Sequence, residues 1–245
     1  MNDRPGADTA REILVIRLGG VNCYLATVDG GFVLIDTGTP KKRARLEAAL
    51  EQAGCRPGNL KLVALTHGDY DHAGNAAYLR DTYGAEIGMH RDDSERVERA
   101  DWRLGMKPKP DRFALIFRLL SPLALRVINS SGFDTFKPGV YLEDGQSLSP
   151  YGLDAVVLHL GGHTRGSIGI LTAEGDLFCG DLMSNMGRPN LHSLINDMAA
   201  ARASLERLKG LGVGTVYPGH GKPFRLERLR GRLVLEGEDQ SGARS

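Results

Sequence analysis

Four short runs of β-forming residues in this chain end in the same way. "VALTH" stops at His67, "VVLHLGGH" at His163, "LFCGD" at Asp181 and "TVYPGH" at His220. Each places an imidazole or a carboxylate beside glycine, where an apolar run gives way to a sharp turn. Gly161 and Gly162, Gly180, Gly219 and Gly221 permit turns that a bulky residue would resist. The pattern asks for a rigid sheet whose strand ends all present polar side chains to one place.

The rest of the chain supplies such a frame. "EILVIRL", "NCYLATV" and "FVLIDTG" read as three strands separated by Gly19-Gly20 and Gly30-Gly31 turns. "TPKKRARLEAALEQAG" predicts a helix with Thr39 as N-cap, Pro40 at its first position and Gly54 beyond its end. Leu46, Ala49, Leu50 and Ala53 fall on one face of it. A strand "LKLVALT", a helix over "AGNAAYLRDTYG" and a strand "AEIGMH" follow. The second half repeats the theme, with strands "DAVVLHL", "SIGILTA", "DLFCG" and "GTVYP" and a helix over "NDMAAARASLERLKG". The fold class is therefore α/β, two similar units packed sheet to sheet.

Composition narrows the setting. At 245 residues the chain can bury a substantial core. A net charge of +1 offers no whole-molecule field for nucleic acid, and Arg225, Arg228, Arg230 and Arg232 read as a solvated C-terminal helix. Three cysteines, far apart and odd in number, argue against a disulfide framework and for a reducing compartment. The first ten residues lack the apolar stretch of a secretory leader, and no apolar run is long enough to span a bilayer. The expectation is a cytoplasmic protein acting on a small molecule, with tails over 1–10 and 236–245 and a single domain over 11–235. A helical insert is expected at about 100–130. Within it, the apolar but arginine-bearing segment 111–128 reads as buried helices, as a lid over the site, as a homodimer contact or as a membrane-surface helix.

The densest chemistry lies in "HGDYDH", residues 67–72. Imidazole nitrogens and carboxylate oxygens are the donors that zinc, iron and manganese accept. One HxxxxH would mean little, but four strand-end loops of this kind carry weight together. With "GGHTRGS", "FCGD", "YPGHGKP" and an earlier "LIDTG", the chain resembles the metallo-β-lactamase superfamily of binuclear metal hydrolases, from about residue 12 to residue 225.

That resemblance implies an αββα four-layer sandwich of two mixed β-sheets flanked by helices. It implies a first metal held by His67, Asp69 and His163, and a second held by Asp71, His72 and His220, with Asp181 bridging them. Asp36 would steady a ligand loop from beneath. The family pattern has histidine where this chain has Asp69. A carboxylate there keeps the spacing, adds a negative charge and shifts preference toward iron or manganese relative to zinc, with zinc still the first expectation for the two divalent ions. The diiron flavodiiron proteins are similar in carrying a glutamate there, but this chain lacks their flavodoxin domain. The implied reaction is hydrolysis of a small ester, thioester or lactone by a metal-bridged hydroxide, with Asp71 orienting the nucleophile and shuttling its proton. β-Lactam or phosphodiester hydrolysis at the same site, and redox chemistry at non-heme iron, stay open as alternatives. Tyr70, Phe113 and Phe117 are candidate substrate contacts, and Cys179 is read as a core residue.

Overall fold

The computed structural model describes residues 12–113 and 132–229. Strand β1 (Ile13–Arg17) pairs with β2 (Asn22–Val28), and β2 with β3 (Gly31–Ile35), as an antiparallel meander. Strands β4 (Leu60–Ala64), β5 (Glu86–Met89) and β7 (Val140–Tyr141) then add in parallel, completing the sheet β1-β2-β3-β4-β5-β7. A second sheet runs β14-β13-β10-β9-β8, from β8 (Ala155–His159), β9 (Ile168–Thr172), β10 (Asp176–Asn185), β13 (Thr215–Gly221) and β14 (Phe224–Arg225). The short β11 (Asn190–Leu191) borders β10, and β6 (Arg112–Phe113) pairs with β12 (Leu194–Ile195).

Strands buried on both faces read as continuous apolar runs, and the alternation within them sorts the layers. Tyr24, Ala26, Val33, Ile35, Leu62 and Ala64 of the first sheet meet Ala155, Val157, Ile168, Ile170 and Phe178 of the second. The opposite faces meet helices. Cys23, Leu25, Leu34 and Val63 pack under Leu46 and Leu50 of α1 (Arg43–Gln52) and Leu79 of α3 (Ala76–Tyr83). Leu171, Cys179 and Val216 pack under Ala201, Leu205 and Leu208 of α5 (Met198–Leu208). Each such leucine contributes about 1.5–3 kcal/mol of apolar burial. The result is the expected αββα sandwich, with Cys179 in the core.

Two features fix the loops that matter. Asn22 donates through Nδ2 to the carbonyls of Pro218 and Gly221, at 3.0 and 2.7 Å, and Tyr24 Oη donates to Pro218 at 2.6 Å. These bonds join β2 to β13 across the sandwich. From α4 (Arg91–Arg99), the buried carboxylate of Asp93 accepts from the amides of Gly68 and Gly166, at 2.8 and 3.0 Å, and from Thr164 Oγ1 at 2.8 Å. One side chain thus ties the loop after β4 to the loop before β9.

The structure departs from the expected outline in two places. Asp181 and His220 lie within β10 and β13, not in loops beyond them. The parallel pairing of these strands shifts register on both sides of Gly180, whose φ of +50° is a left-handed conformation. That irregularity re-aims Asp181 while the strand continues. Residues 100–113 are not helical: Ala100 ends α4 in a left-handed turn, and Gly105, Pro108 and Pro110 interrupt the backbone before β6. Phe117, the side chain of Phe113, most of segment 111–128 and both expected tails lie outside the described residues. Among the described residues, no helix is long and apolar enough to cross a membrane.

Asp93→Ala leaves two buried amides without their acceptor, which costs about 1–3 kcal/mol each. Urea denaturation should therefore show an unfolding free energy lower by at least about 2 kcal/mol. A Cβ at Gly162 would lie 2.6 Å from that of Ala201, with φ at +139°. Gly162→Ala should lower the thermal midpoint by several degrees, reflecting about 1–3 kcal/mol of overpacking and backbone strain; an unchanged midpoint would contradict the packing of α5.

Candidate metal centre

The residues of "HGDYDH" are delivered by the end of β4 and a single helical turn, α2 (Tyr70–Ala73). Asp69 is extended and precedes that turn, so Asp69 and Asp71 leave the backbone in different directions. His67, Asp69 and His163 present donor atoms within 4.8 Å of one another, and so do Asp71, His72 and His220. Asp181 stands between the two groups. Its Oδ1 is 3.5 Å from His72 Nε2, and its Oδ2 is 3.3 Å from His220 Nε2 and 3.8 Å from His163 Nε2.

Each of these imidazoles is anchored from behind. His72 Nδ1 lies 2.8 Å from Asp36 Oδ2 and donates to it. His163 Nδ1 donates to the carbonyl of Leu194 at 2.8 Å, and His220 Nδ1 to that of Gly20 at 2.7 Å. His67 Nδ1 is 3.0 Å from Thr66 Oγ1, whose own proton goes to Asp36. Every Nε2 therefore faces inward, the arrangement that metal-ligating histidines take. Asp36 itself is buried with φ of +59°, and accepts from Thr66 N, Thr66 Oγ1 and His72. Strain of this kind persists only where the surroundings over-determine it.

The electrostatics follow from packing ionisable groups against one another in a largely buried site. Burial raises the Asp181 carboxyl, but His192, His220 and His72 outweigh that and hold it well below the usual carboxylate range. Burial, reinforced by His72, keeps His67 well below the ordinary histidine value. Burial also disfavours the charged form of His220, yet Asp181 and Asp71 carry it up to about 9. Burial opposes ionisation of Asp69 too, but Arg96, His163 and His67 hold its carboxyl low.

Several buried atoms here have no hydrogen-bond partner in the protein: His67 Nε2, His72 Nε2 and Asp181 Oδ1, which lie together within 4.8 Å. Leaving such groups unmet costs free energy, and a bound cation is the partner their chemistry asks for. Gly219 lines the same space, where a Cβ would lie 2.4 Å from Asp181 Oδ1 and 2.6 Å from His72 Cε1. The donor set, its orphaned atoms and that glycine fit a divalent metal centre.

Tyr70 is not a surface residue. It is buried, with its ring against Trp102 and Phe133 at centroid separations of 6.0 and 6.3 Å. Three side chains that the motifs do not single out also shape the centre. Arg96, buried on α4, pairs through Nη2 with Asp69 Oδ1 and donates through Nη1 to the carbonyl of Leu104 at 2.6 Å. Asp93 secures both histidine loops, as described above. His192, between β11 and β12, directs Nε2 to within 3.6 Å of Asp181 Oδ2. In sequence, Asp93 and Arg96 look like ordinary polar residues of a charged helix, and His192 in "GRPNLHSL" follows no strand-like run.

Comparison with known proteins agrees with this geometry. The family model of the metallo-beta-lactamase superfamily matches residues 16–220. The hydroxyacylglutathione hydrolase GloC of Haemophilus influenzae is 30% identical over 179 residues, covering 72% of this chain and 73% of that protein. The acyl-coenzyme A thioesterase MBLAC2 of Bos taurus is 28% identical, covering 76% and 63%. A protein solved in a di-iron-bound form superposes with a TM-score of 0.61 at 27% identity, covering 90% of this chain and 97% of that one. Two packed mixed sheets, convergent His and Asp donors and a family match over most of the chain agree: this protein is a metallo-hydrolase of the metallo-beta-lactamase superfamily.

Proposed function

We propose that the chain hydrolyses small acyl compounds at a two-metal centre, with a thioester as the substrate class that fits best, in preference to a simple ester or lactone. The observation that carries this reading is the buried Asp181 carboxylate standing between two clusters of inward-facing donors. His67, Asp69 and His163 would hold one divalent ion, and Asp71, His72 and His220 the other, with Asp181 shared. Zinc suits the imidazoles; the carboxylate of Asp69 and the di-iron relative also support iron, with manganese a third choice. When bound, the ions supply Lewis-acid polarisation of the scissile carbonyl and a water acidified toward a pKa of about 7.

The protein's own groups divide the remaining work. Exposure separates the three carboxylates: the side chain of Asp71 is 39% accessible, against 21% for Asp69 and 5% for Asp181. Asp71 is thus the one open to substrate, placed to take the nucleophile's proton and pass it to the leaving group. His220, with Nε2 3.4 Å from Asp71 Oδ2, holds that carboxylate in position. A thiol has a pKa of about 8.5, so it departs without a strong proton donor, which suits a site whose shuttle is a carboxylate. The two relatives named above, a hydroxyacylglutathione hydrolase and an acyl-coenzyme A thioesterase, support the same class. The three buried free cysteines suit a cytoplasmic setting.

The direct test is thiol release from short acylglutathione and acyl-coenzyme A substrates. Asp71→Asn should lower kcat by about 10²–10⁴-fold, the usual loss on removing a proton-transfer group. Wild-type rates that persist after chelation would overturn the metal-dependent reading. Asp36→Asn should weaken metal retention by about 10–100-fold in chelator competition, because His72 loses the partner that orients it. Metal content should fall from two ions per chain toward one in Asp69→Ala; two ions retained would show that Asp69 is not a ligand.

A further inference from the structure

His192 shares the features that mark the inward-facing histidines. It is buried, its amide donates to the carbonyl of Leu182 at 3.1 Å, and its Nε2 points into the centre. Its Nδ1 lies 3.3 Å from both the amide nitrogen and the carbonyl oxygen of Leu194, the oxygen that also accepts from His163 Nδ1. The main chain of Leu194 therefore meets both rings, whose centroids are 5.3 Å apart and whose planes are nearly perpendicular. On its other side, His192 stacks on His220 at 5.3 Å. His163, Asp181 and His192 offer donor atoms that all lie within 4.8 Å of one another.

The remaining two histidines of the chain behave differently. His90 caps α4, accepting from Asp92 N at 3.2 Å, and His159 has its Nε2 2.8 Å from the carbonyl of Arg165. Neither joins a donor cluster among the described residues.

Asp69 explains why another imidazole would matter. One of its oxygens is taken by the guanidinium of Arg96, and the other lies 3.1 Å from His163 Nε2 and 3.7 Å from His67 Nε2. A carboxylate engaged by arginine is a weaker donor than a free one, since the cation competes for its charge. His192 restores nitrogen donation on that side of Asp181.

Resting on the two-metal reading above, we propose that His192 is a metal ligand, supplying Nε2 to the ion held by His67, Asp69 and His163. With the shared Asp181, that ion gains five protein donors, three imidazoles and two carboxylates. Such a set exceeds the four donors of an ordinary zinc site and suits a six-coordinate metal, iron or manganese, with one position left for the water the reaction uses.

The test compares wild type, His192→Ala, His192→Gln and, as a control, His159→Gln. Each apoprotein is reconstituted with manganese and separately with cobalt, then measured by mass-spectrometric metal content, chelator competition and cobalt absorption. Both His192 variants should lose affinity for one of two ions by about tenfold or more, with stronger cobalt bands as the coordination number falls. His159→Gln should match wild type. Matching circular dichroism of the apoproteins separates this loss from misfolding, and His192→Gln, with a polar side chain of similar size, guards against collapse of the site. Two ions retained with unchanged competition and unchanged cobalt bands would overturn the assignment, even if KM rose. A wild type that binds no metal would instead remove the two-metal reading, and the inference with it.

Discussion

A buried carboxylate surrounded by imidazoles is the constraint from which the rest of this structure follows. Asp181 is 4% exposed, and four Nε2 atoms, from His72, His163, His192 and His220, lie between 3.3 and 3.8 Å from it. An isolated ion in such a place would be prohibitive, so the protein must hold compensating groups at fixed positions. Those groups come from four separate stretches of chain. The two sheets, their tight interface and the flanking helices are what keep those stretches in register.

Fixing a ring's position is not enough; its rotation must also be set. Each inward nitrogen is aimed by a contact at the opposite nitrogen: Asp36 for His72, Leu194 for His163, Gly20 for His220 and Thr66 for His67. Two of these acceptors are main-chain carbonyls, so the aim is set by strand and turn geometry more than by side-chain choice. Asp93 and Arg96 extend the same logic from α4, one securing the loops and the other balancing the charge of Asp69.

Much of this was legible in the sequence because the signals are local. Strand-like runs that lead into His67 and His163, and a helix after Pro40, are short-range patterns that the fold preserves, with Pro40–Lys42 as a 3-10 turn before α1. The placement of Asp181 inside β10 was not, because a strand that continues through a left-handed glycine looks locally like a strand that stops. Asp93, Arg96 and His192 lacked any signal for a related reason. The roles of Asp93 and Arg96 depend on contacts 25 to 73 residues away in the chain, and that of His192 on a turn at Leu194 that no motif records. Tyr70, flanked by aspartates, had the neighbours of a surface residue, yet the aromatic cluster formed with Trp102 and Phe133 encloses it.

The contact between His220 and Gly20 spans 200 residues, and that between Asn22 and Gly221 spans 199. The donor set therefore cannot be assembled from either half of the chain alone. Loop closure over such distances comes late, since its entropy must be met before the contact rewards it. The centre is finished only when the first hairpin and the last strands have docked, so capture of a cation reports that the whole sandwich has formed. A ligand that binds only this finished state adds its binding free energy to the folded side. The ions would thus act as a clasp on the two ends of the chain, making metal supply a determinant of how long the folded protein survives.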